Sequence, residues 1–328
     1  MSGRLLLQRA LLCLSAGLLL AVPSPGRAQD FPNRPITILV GLAAGGVTDV
    51  MARLYAEAVS RKLGQSVIVE NRPAASGAVA AAALQNAQPD GYTLLLFSGA
   101  QHATIPALAS AASYDPVKGA QPISTVFNFT GIVAVPADSP VKSIKELAAF
   151  AKGKAGGANF GSPGVGTPSH LAAAKLLVLT GAPAQFIHYK GGAPMMADLV
   201  AGRLDIAWPS APAAKSFLID NKLRALAIDG PQRWAVIPDV PTLKEAGFGE
   251  ASVANWFAVA AAPGTPEPVI QTLNAAFAEA ARDPELKRKV EEFGMTLATS
   301  TPGELGRLME KEAIEIRELV RKLGLKQQ

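Results

Sequence analysis

Cysteine is nearly absent from this chain. Among 328 residues there is one, Cys13, and it lies inside an apolar N-terminal run. Beyond that run the chain has no disulfide, no thiol nucleophile and no cysteine metal site. Charge is sparse as well: 17% of residues are Asp, Glu, Lys or Arg, against 49% hydrophobic ones. That composition excludes a disordered, self-solvating chain and leaves ample material for a core. The net charge of +5 shrinks on inspection. Arg4, Arg9 and Arg27 stand in a segment without acids, so past Ala28 the count is 28 bases against 26 acids, or +2. A nucleic-acid partner is therefore not expected. The chain has no G-x-x-x-x-G-K-[ST], no G-x-S-x-G and no H-E-x-x-H. A P-loop, an α/β-hydrolase elbow and a zincin site are excluded with them, and no His, Asp and Glu cluster has metal spacing.

Long apolar runs are also missing, with one exception. Ala10 to Val22 is apolar, follows the basic Arg4 and Arg9, and precedes Gly26-Arg27-Ala28. Thirteen apolar residues are too few to span a bilayer comfortably, and the small residues at 26 and 28 suit signal peptidase. Residues 1–28 are expected to be a cleaved signal peptide, which puts the mature chain in the periplasm. Cys13 sits mid-run behind Leu11 and Leu12, which argues against a lipid anchor.

What is present is alternation. Short apolar strands are expected at Ile36–Val40, Ser66–Val69, Thr93–Phe97, Gly131–Val135, Ala158–Phe160, Gln185–His188, Asp205–Trp208, Arg224–Ile228 and Val253–Ala260, with helical stretches between most of them. Strands that read as apolar runs are buried on both faces, so the class is α/β with a parallel or mixed sheet. Ser143–Glu146, Thr242–Glu245 and Thr301–Glu304 read as capping boxes. Thr167-Pro168, Thr265-Pro266 and Asp283-Pro284 read as a cap followed by proline at the first helical position. Pro302 to about Lys322 reads as an amphipathic final helix.

Four segments leave the ends of expected strands. The first is Gly41–Asp49, a small-residue turn opening a helix. Its exposed N–H groups and the positive end of the helix dipole suit an anion, and without a Walker lysine we read that anion as a carboxylate. The second is Ser98-Gly-Ala-Gln-His102. The third is Gly161-Ser-Pro-Gly-Val-Gly-Thr-Pro-Ser-His170, and the fourth is Tyr189-Lys-Gly-Gly-Ala193. The third has Ser169 where a dinucleotide fingerprint needs its last glycine and no acid about 20 positions on, so a nicotinamide cofactor is not expected. Bland roles stand beside these. Gly45 and Gly46 suit a tight turn, Asp49 a first helical turn, and Thr167 a cap. His102, His170 and His188 suit structural or solvated positions. Lys190 suits an anion contact or solvent. Trp208 and Trp256 suit a core or the wall of an apolar ligand.

Many ordered stretches resemble one family: FPNRPITILV…AAGGVTDVMAR, VIVENRPAASG, PDGYTLLL, YDPVK, GSPGVGTPSHLAA, HYKGGAPMMADLVAGRLD, LRALAI and IPDVPTLKEAGF. They are similar to the Bug receptors, the TctC-like periplasmic binding proteins of tripartite tricarboxylate transporters. The likeness runs from Phe31 to about Leu323. It implies a type II periplasmic-binding fold in which two α/β lobes close on a ligand, with residues 29–130 and 254–328 in lobe 1 and residues 131–253 in lobe 2. It implies a binding protein that is not an enzyme and needs no cofactor or metal; the sequence gives no positive sign of an oligomer, so a monomer is expected. It would deliver a small organic carboxylate to membrane permease subunits. A sensor feeding a signalling partner is the alternative, and a periplasmic hydrolase using His170 with Ser169 or Asp49 a remoter one. The residues implied for ligand binding are Ala43, Ala44, Gly45, Gly46, Thr48 and Asp49 in the first segment and Ser98, Gly99 and Gln101 in the second. Gly164, Gly166, Thr167, Ser169 and His170 follow in the third; Trp208, a strand-end aromatic, is added as a wall for an apolar ligand. Three departures stand out. Gly41 and Val47 are often proline in such receptors, and an Asp is common where Pro209 stands. Without that Asp an ammonium loses a partner. The expected ligand is thus a carboxylate lacking an amine, with an apolar or aromatic body beside Trp208 or Trp256.

Overall fold

The computed structural model describes residues 31–322 except 43, 46, 74–76, 109–113, 165, 166, 190, 254 and 255, and gives the backbone alone at 100, 101 and 108. The strands are β1 (Ile36–Val40), β2 (Val67–Asn71), β3 (Thr93–Ser98), β4 (Gln121–Phe129), β5 (Gly131–Pro136), β6 (Ala158–Ser162), β7 (Ala184–His188), β8 (Ile206–Ala207), β9 (Leu223–Asp229), β10 (Trp256–Ala261) and β11 (Met295–Leu297). They form two sheets, ordered β11-β4-β10-β3-β1-β2 and β7-β6-β8-β5-β9. Both are mixed. β1 runs parallel to β2 and β3 while β10 lies antiparallel to β3 and β4. In the second sheet β6 is parallel to β7 and β8, and β5 is antiparallel to β8 and β9.

The helices follow from the same alternation: α1 (Val47–Leu63), α2 (Ala78–Gln85), α3 (Gly99–Leu108), α4 (Ile144–Lys152), α5 (Pro168–Thr180), α6 (Gly192–Val200), α7 (Ala211–Ile219), α8 (Glu267–Ala280), α9 (Pro284–Glu292) and α10 (Pro302–Lys322). Leu305, Met309, Ile316 and Val320 bury one face of α10, as its periodicity requires. The Leu323 end of the expected face lies outside the described residues. The side of the first sheet that carries α2, α3 and α10 packs Leu39, Leu84, Leu95, Phe97, Trp256 and Leu305. The second sheet packs Val133, Leu147, Phe160, Leu171, Ile206 and Trp208 on one side. Ile132, Met195, Leu199 and Ile228 join a separate cluster with α6 and α7.

Several local expectations change. Thr301 and Glu304 form a reciprocal capping box at the start of α10. Thr242 and Glu245 form one too, but around an isolated turn with no α-helix behind it. Asp283 caps α9 by accepting from the Glu285 N–H. Thr265 does not cap α8: its hydroxyl donates to the Ala262 carbonyl at 2.7 Å, and the helix begins one residue later with Pro266 in the cap position. β4 and β11 were not expected. The second segment, Ser98–His102, is no loop either, because α3 starts at Gly99 directly behind β3.

Candidate functional site

The turn after β1 is built by residues it does not contain. Asp49, in the first turn of α1, is 3% exposed. Its Oδ2 accepts from the Gly45 N–H at 2.9 Å and from Arg53 Nε at 3.0 Å. Its Oδ1 lies 2.9 Å from Arg53 Nη2, an ion-pair contact without hydrogen-bond alignment. Arg53 Nη2 also donates to Asn71 Oδ1 at 3.1 Å, and Asn71 Nδ2 donates to the Leu42 carbonyl at 3.0 Å. The chain Leu42, Asn71, Arg53, Asp49, Gly45 thus ties both sides of the turn to α1 and to the end of β2. The Arg53 hydrogen bond, chiefly, holds the Asp49 carboxyl below the usual range, with the Gly45 N–H and Asn71 helping against its burial. Asp49 is therefore an anion already occupied by the protein, and it shapes the turn. Ala44 and Gly45 are exposed and Thr48 is half-buried; Ala43 and Gly46 lie outside the described residues.

Gly41 explains one departure from the family pattern. A Cβ there would stand 2.4 Å from the Gly77 Cα, so the turn after β1 and the start of α2 touch backbone to backbone. Proline does not fit without separating them.

Around this contact the ends of β1 and β3 enclose a small cavity of about 30 Å³. Gly41, Leu42 and Thr48 meet Ser98, His102 and Tyr114 there, with Phe97, Ile105 and Phe257 as apolar wall. His102 is buried, and its Nε2 donates to the Pro116 carbonyl at 3.0 Å. Its ring lies 4.5 Å from Phe97 and 5.0 Å from Tyr114, centroid to centroid. Burial pushes its pKa down to about 4, outweighing the Pro116 carbonyl, so it is neutral above that pH. The Tyr114 hydroxyl donates to the His102 carbonyl at 2.7 Å. The Trp256 indole covers Gly99, and its buried Nε1 finds no partner among the described residues. Of Gln101 only the backbone is described, as part of α3.

The third segment lies on the second sheet, between β6 and α5. The Thr167 side chain caps α5 by accepting from the His170 N–H at 3.3 Å, and it donates to the Gly164 carbonyl at 2.9 Å. The Ser162 hydroxyl donates to that same carbonyl at 2.9 Å. Gly166 lies outside the described residues, as does Lys190 in the fourth segment. Ser169 is half-buried in the first turn of α5. His170 is buried edge-on against Phe186 at 4.7 Å and His188 at 4.8 Å. Burial first, and His188 second, push its pKa down to about 4. Trp208 is 1% exposed in the core of the second sheet and presents no open wall. Removing the Thr167 cap with Thr167→Ala should cost about 1 kcal/mol, measured by thermal or urea unfolding.

Two candidate loops, one after β1 and one after β6, each precede a helix. Comparison with known proteins supplies the family. The sequence matches the family model described as "Tripartite tricarboxylate transporter family receptor" over residues 51–325. The chain belongs to this receptor family. A Cupriavidus necator relative, described as "UPF0065 protein in gbd 5'region", is 34% identical over 94% of this chain and 93% of its own length. MatC from Rhodopseudomonas palustris with bound malate superimposes with a TM-score of 0.75 at 29% identity, covering 88% of this chain and all of that one. A second R. palustris protein, with adipate, gives a TM-score of 0.78 at 30% identity over 90% of this chain and 99% of its own. The chain has the mixed α/β, two-lobe fold of periplasmic binding proteins, with two sheets. Among the described residues no helix is long and apolar enough to cross a membrane. No cluster of three or more His, Cys, Asp or Glu side chains there is placed to hold a metal ion. Arg53 and Asn71 escaped sequence reading, although the i,i+4 spacing of Asp49 and Arg53 was a usable signal.

Proposed function

We propose that this receptor captures a small organic carboxylate outside the cytoplasmic membrane and delivers it to the permease subunits of a tripartite tricarboxylate-type transporter. The observation that carries the reading is the near full-length likeness to two structures that hold malate and adipate, both carboxylates. The local geometry supports it. The ligand carboxylate sits between the turn after β1, residues 43–48, and the segment 164–170 ahead of α5, each at a helix N-terminus where donors and dipole favour an anion. Asp49 acts indirectly by fixing the first turn. Residues 29–130 and 254–328 form lobe 1 and residues 131–253 form lobe 2. The chain is exported to the periplasm with residues 1–28 removed, and works as a monomer without a cofactor.

A thermal-shift screen of refolded residues 29–328 tests this against mono-, di- and tricarboxylates, amino acids, sugars and amines. A ligand at 100 times its Kd stabilises the native state by about 2.7 kcal/mol. That is roughly 5–10 °C in midpoint at about 2–4 °C per kcal/mol. A shift confined to carboxylates and lost in Gly46→Leu or Gly166→Leu, with both variants folded, supports the reading. Shifts with sugars or amines and none with acids overturn it.

A further inference from the structure

Trp256, at the start of β10, is 7% exposed, and its indole Nε1 has no hydrogen-bond partner among the described residues. Buried donors are normally paired, and an orphaned one is a cost that the native state carries. The ring meets Phe97 edge-on, 5.9 Å between centroids. It also lies against Gly99, the first residue of α3: the indole carbon Cε2, which bears Nε1, would stand 2.2 Å from a Cβ at that position. The orphaned N–H therefore adjoins the first turn of α3. A helix start carries backbone N–H groups and the positive end of the dipole, which favour an acceptor. This turn borders the proposed carboxylate cradle. Ser98, directly before it, lines the same small cavity as Leu42 and Thr48.

We propose that the first turn of α3 and the Trp256 Nε1–H together receive a second oxygen acceptor of the ligand, so that Trp256 sets a preference for acids bearing such a group, a second carboxylate foremost. This rests on the carboxylate-receptor reading above and sharpens it. Nε1 is covered in this conformation, so the contact forms as the first turn of α3 adjusts around the bound acid. A donor that holds no water forfeits no bond to water when an acceptor reaches it, so the new bond is not an exchange of one bond for another. The indole N–H only donates. An acid whose far end is a methyl group leaves it unpaired, and one whose far end is an ammonium sets a donor and a positive charge against a donor and a positive dipole end. An apolar ligand body is expected beside Trp256 from the sequence; the unpaired N–H calls for an acceptor there instead.

The test is titration of ¹⁵N-labelled, refolded residues 29–328 with carbon-matched sets, followed by calorimetry and by the indole N–H signals in NMR. The sets are butyrate, succinate and γ-aminobutyrate, and hexanoate, adipate and ε-aminohexanoate. Trp208, Trp234 and Trp256 give three indole signals. Trp256→Phe identifies its own by loss, and Trp208→Phe with Trp234→Phe identify it by elimination. The expected result is succinate or adipate binding at least about tenfold tighter than its methyl-ended and amine-ended matches, with the Trp256 signal moving downfield at saturation. Trp256→Phe should bring diacid and monoacid to within about twofold of each other. If that variant does not fold, the movement of the wild-type signal decides. A monocarboxylate that binds as tightly as its diacid, or a Trp256 signal unmoved when a diacid saturates the receptor, overturns this inference and leaves the carboxylate reading intact. So does a Trp256 signal already at its hydrogen-bonded position without ligand, because a group of the receptor then holds the donor. Binding of no acid at all overturns both.

Discussion

Trp208→Ala should lower the stability of this receptor by about 3–5 kcal/mol, the usual cost of truncating a fully buried large aromatic side chain. At about 2–4 °C per kcal/mol this moves the unfolding midpoint down by roughly 6–20 °C. Trp208 is 1% exposed and shares its cluster with Val133, Phe160 and Ile206. Gly131, at the start of β5, makes room for it: a Cβ there would stand 2.4 Å from the indole Nε1. The ring is thus seated on backbone, and truncation leaves a void that β5 and β8 cannot close without breaking their pairing with each other. Trp208→Phe keeps most of the apolar area and should lose well under half as much. Titration with a bound acid separates packing from ligand contact. A packing role predicts that Trp208→Phe binds as wild type does. Lost binding at unchanged stability would return Trp208 to the ligand wall.

The second-sheet tryptophan also shows where sequence reading of this chain reaches its limit. Period and composition located nine of the strands, helped by those such as β1, β3, β5 and β10 that are buried as short apolar runs. They missed β4, whose Ser124 and Thr125 interrupt its apolar pattern. The structure shows why those residues are tolerated in a central strand. The Ser124 hydroxyl donates to the Ser300 carbonyl at 3.1 Å, and the Thr125 N–H donates to the Ser300 hydroxyl at 3.0 Å. That partner is distant in sequence, and no local pattern announces it. β11 was missed because three residues carry too little periodicity to register.

At the site the pattern of success is similar. Cap chemistry is local, so Thr167 and Asp283 were readable from their own neighbourhoods. The role of Asp49 was not, because it depends on Asn71, which arrives from the end of β2. Nor could the sequence say that Gly41 faces Gly77, or that Trp208 is core and Trp256 rests on Gly99. Residue type suggests what a tryptophan or a glycine is able to do. Which of those things it does is decided by the element that packs against it.

Asp49→Asn should loosen the first turn and cost about 1.5–3 kcal/mol, the range for hydrogen bonds to a charged group. The side chain of Arg53 is 52% exposed, so it rehydrates when its partner is neutralised, which keeps the loss below that of a fully buried ion pair. The pH dependence follows from the sign of the shift. The Asp49 carboxyl titrates lower in the folded chain than in the unfolded one, where aspartate titrates near about 3.9. Its contribution is therefore fully present above that value and is lost as pH falls through the lower, folded one. Wild-type protein should accordingly lose stability below about pH 4 more steeply than Asp49→Asn, so that the two unfolding curves converge in acid. Urea unfolding at pH 7 and at a series of values from pH 5 downward measures the gap. At neutral pH the variant should also bind its carboxylate more weakly, since Gly45 and Leu42 are no longer held against α1 and β2. A gap that stays constant into acid would mean that the charge of Asp49 contributes nothing and that its shape alone supports the turn. Unchanged affinity in a destabilised variant would detach this network from ligand binding.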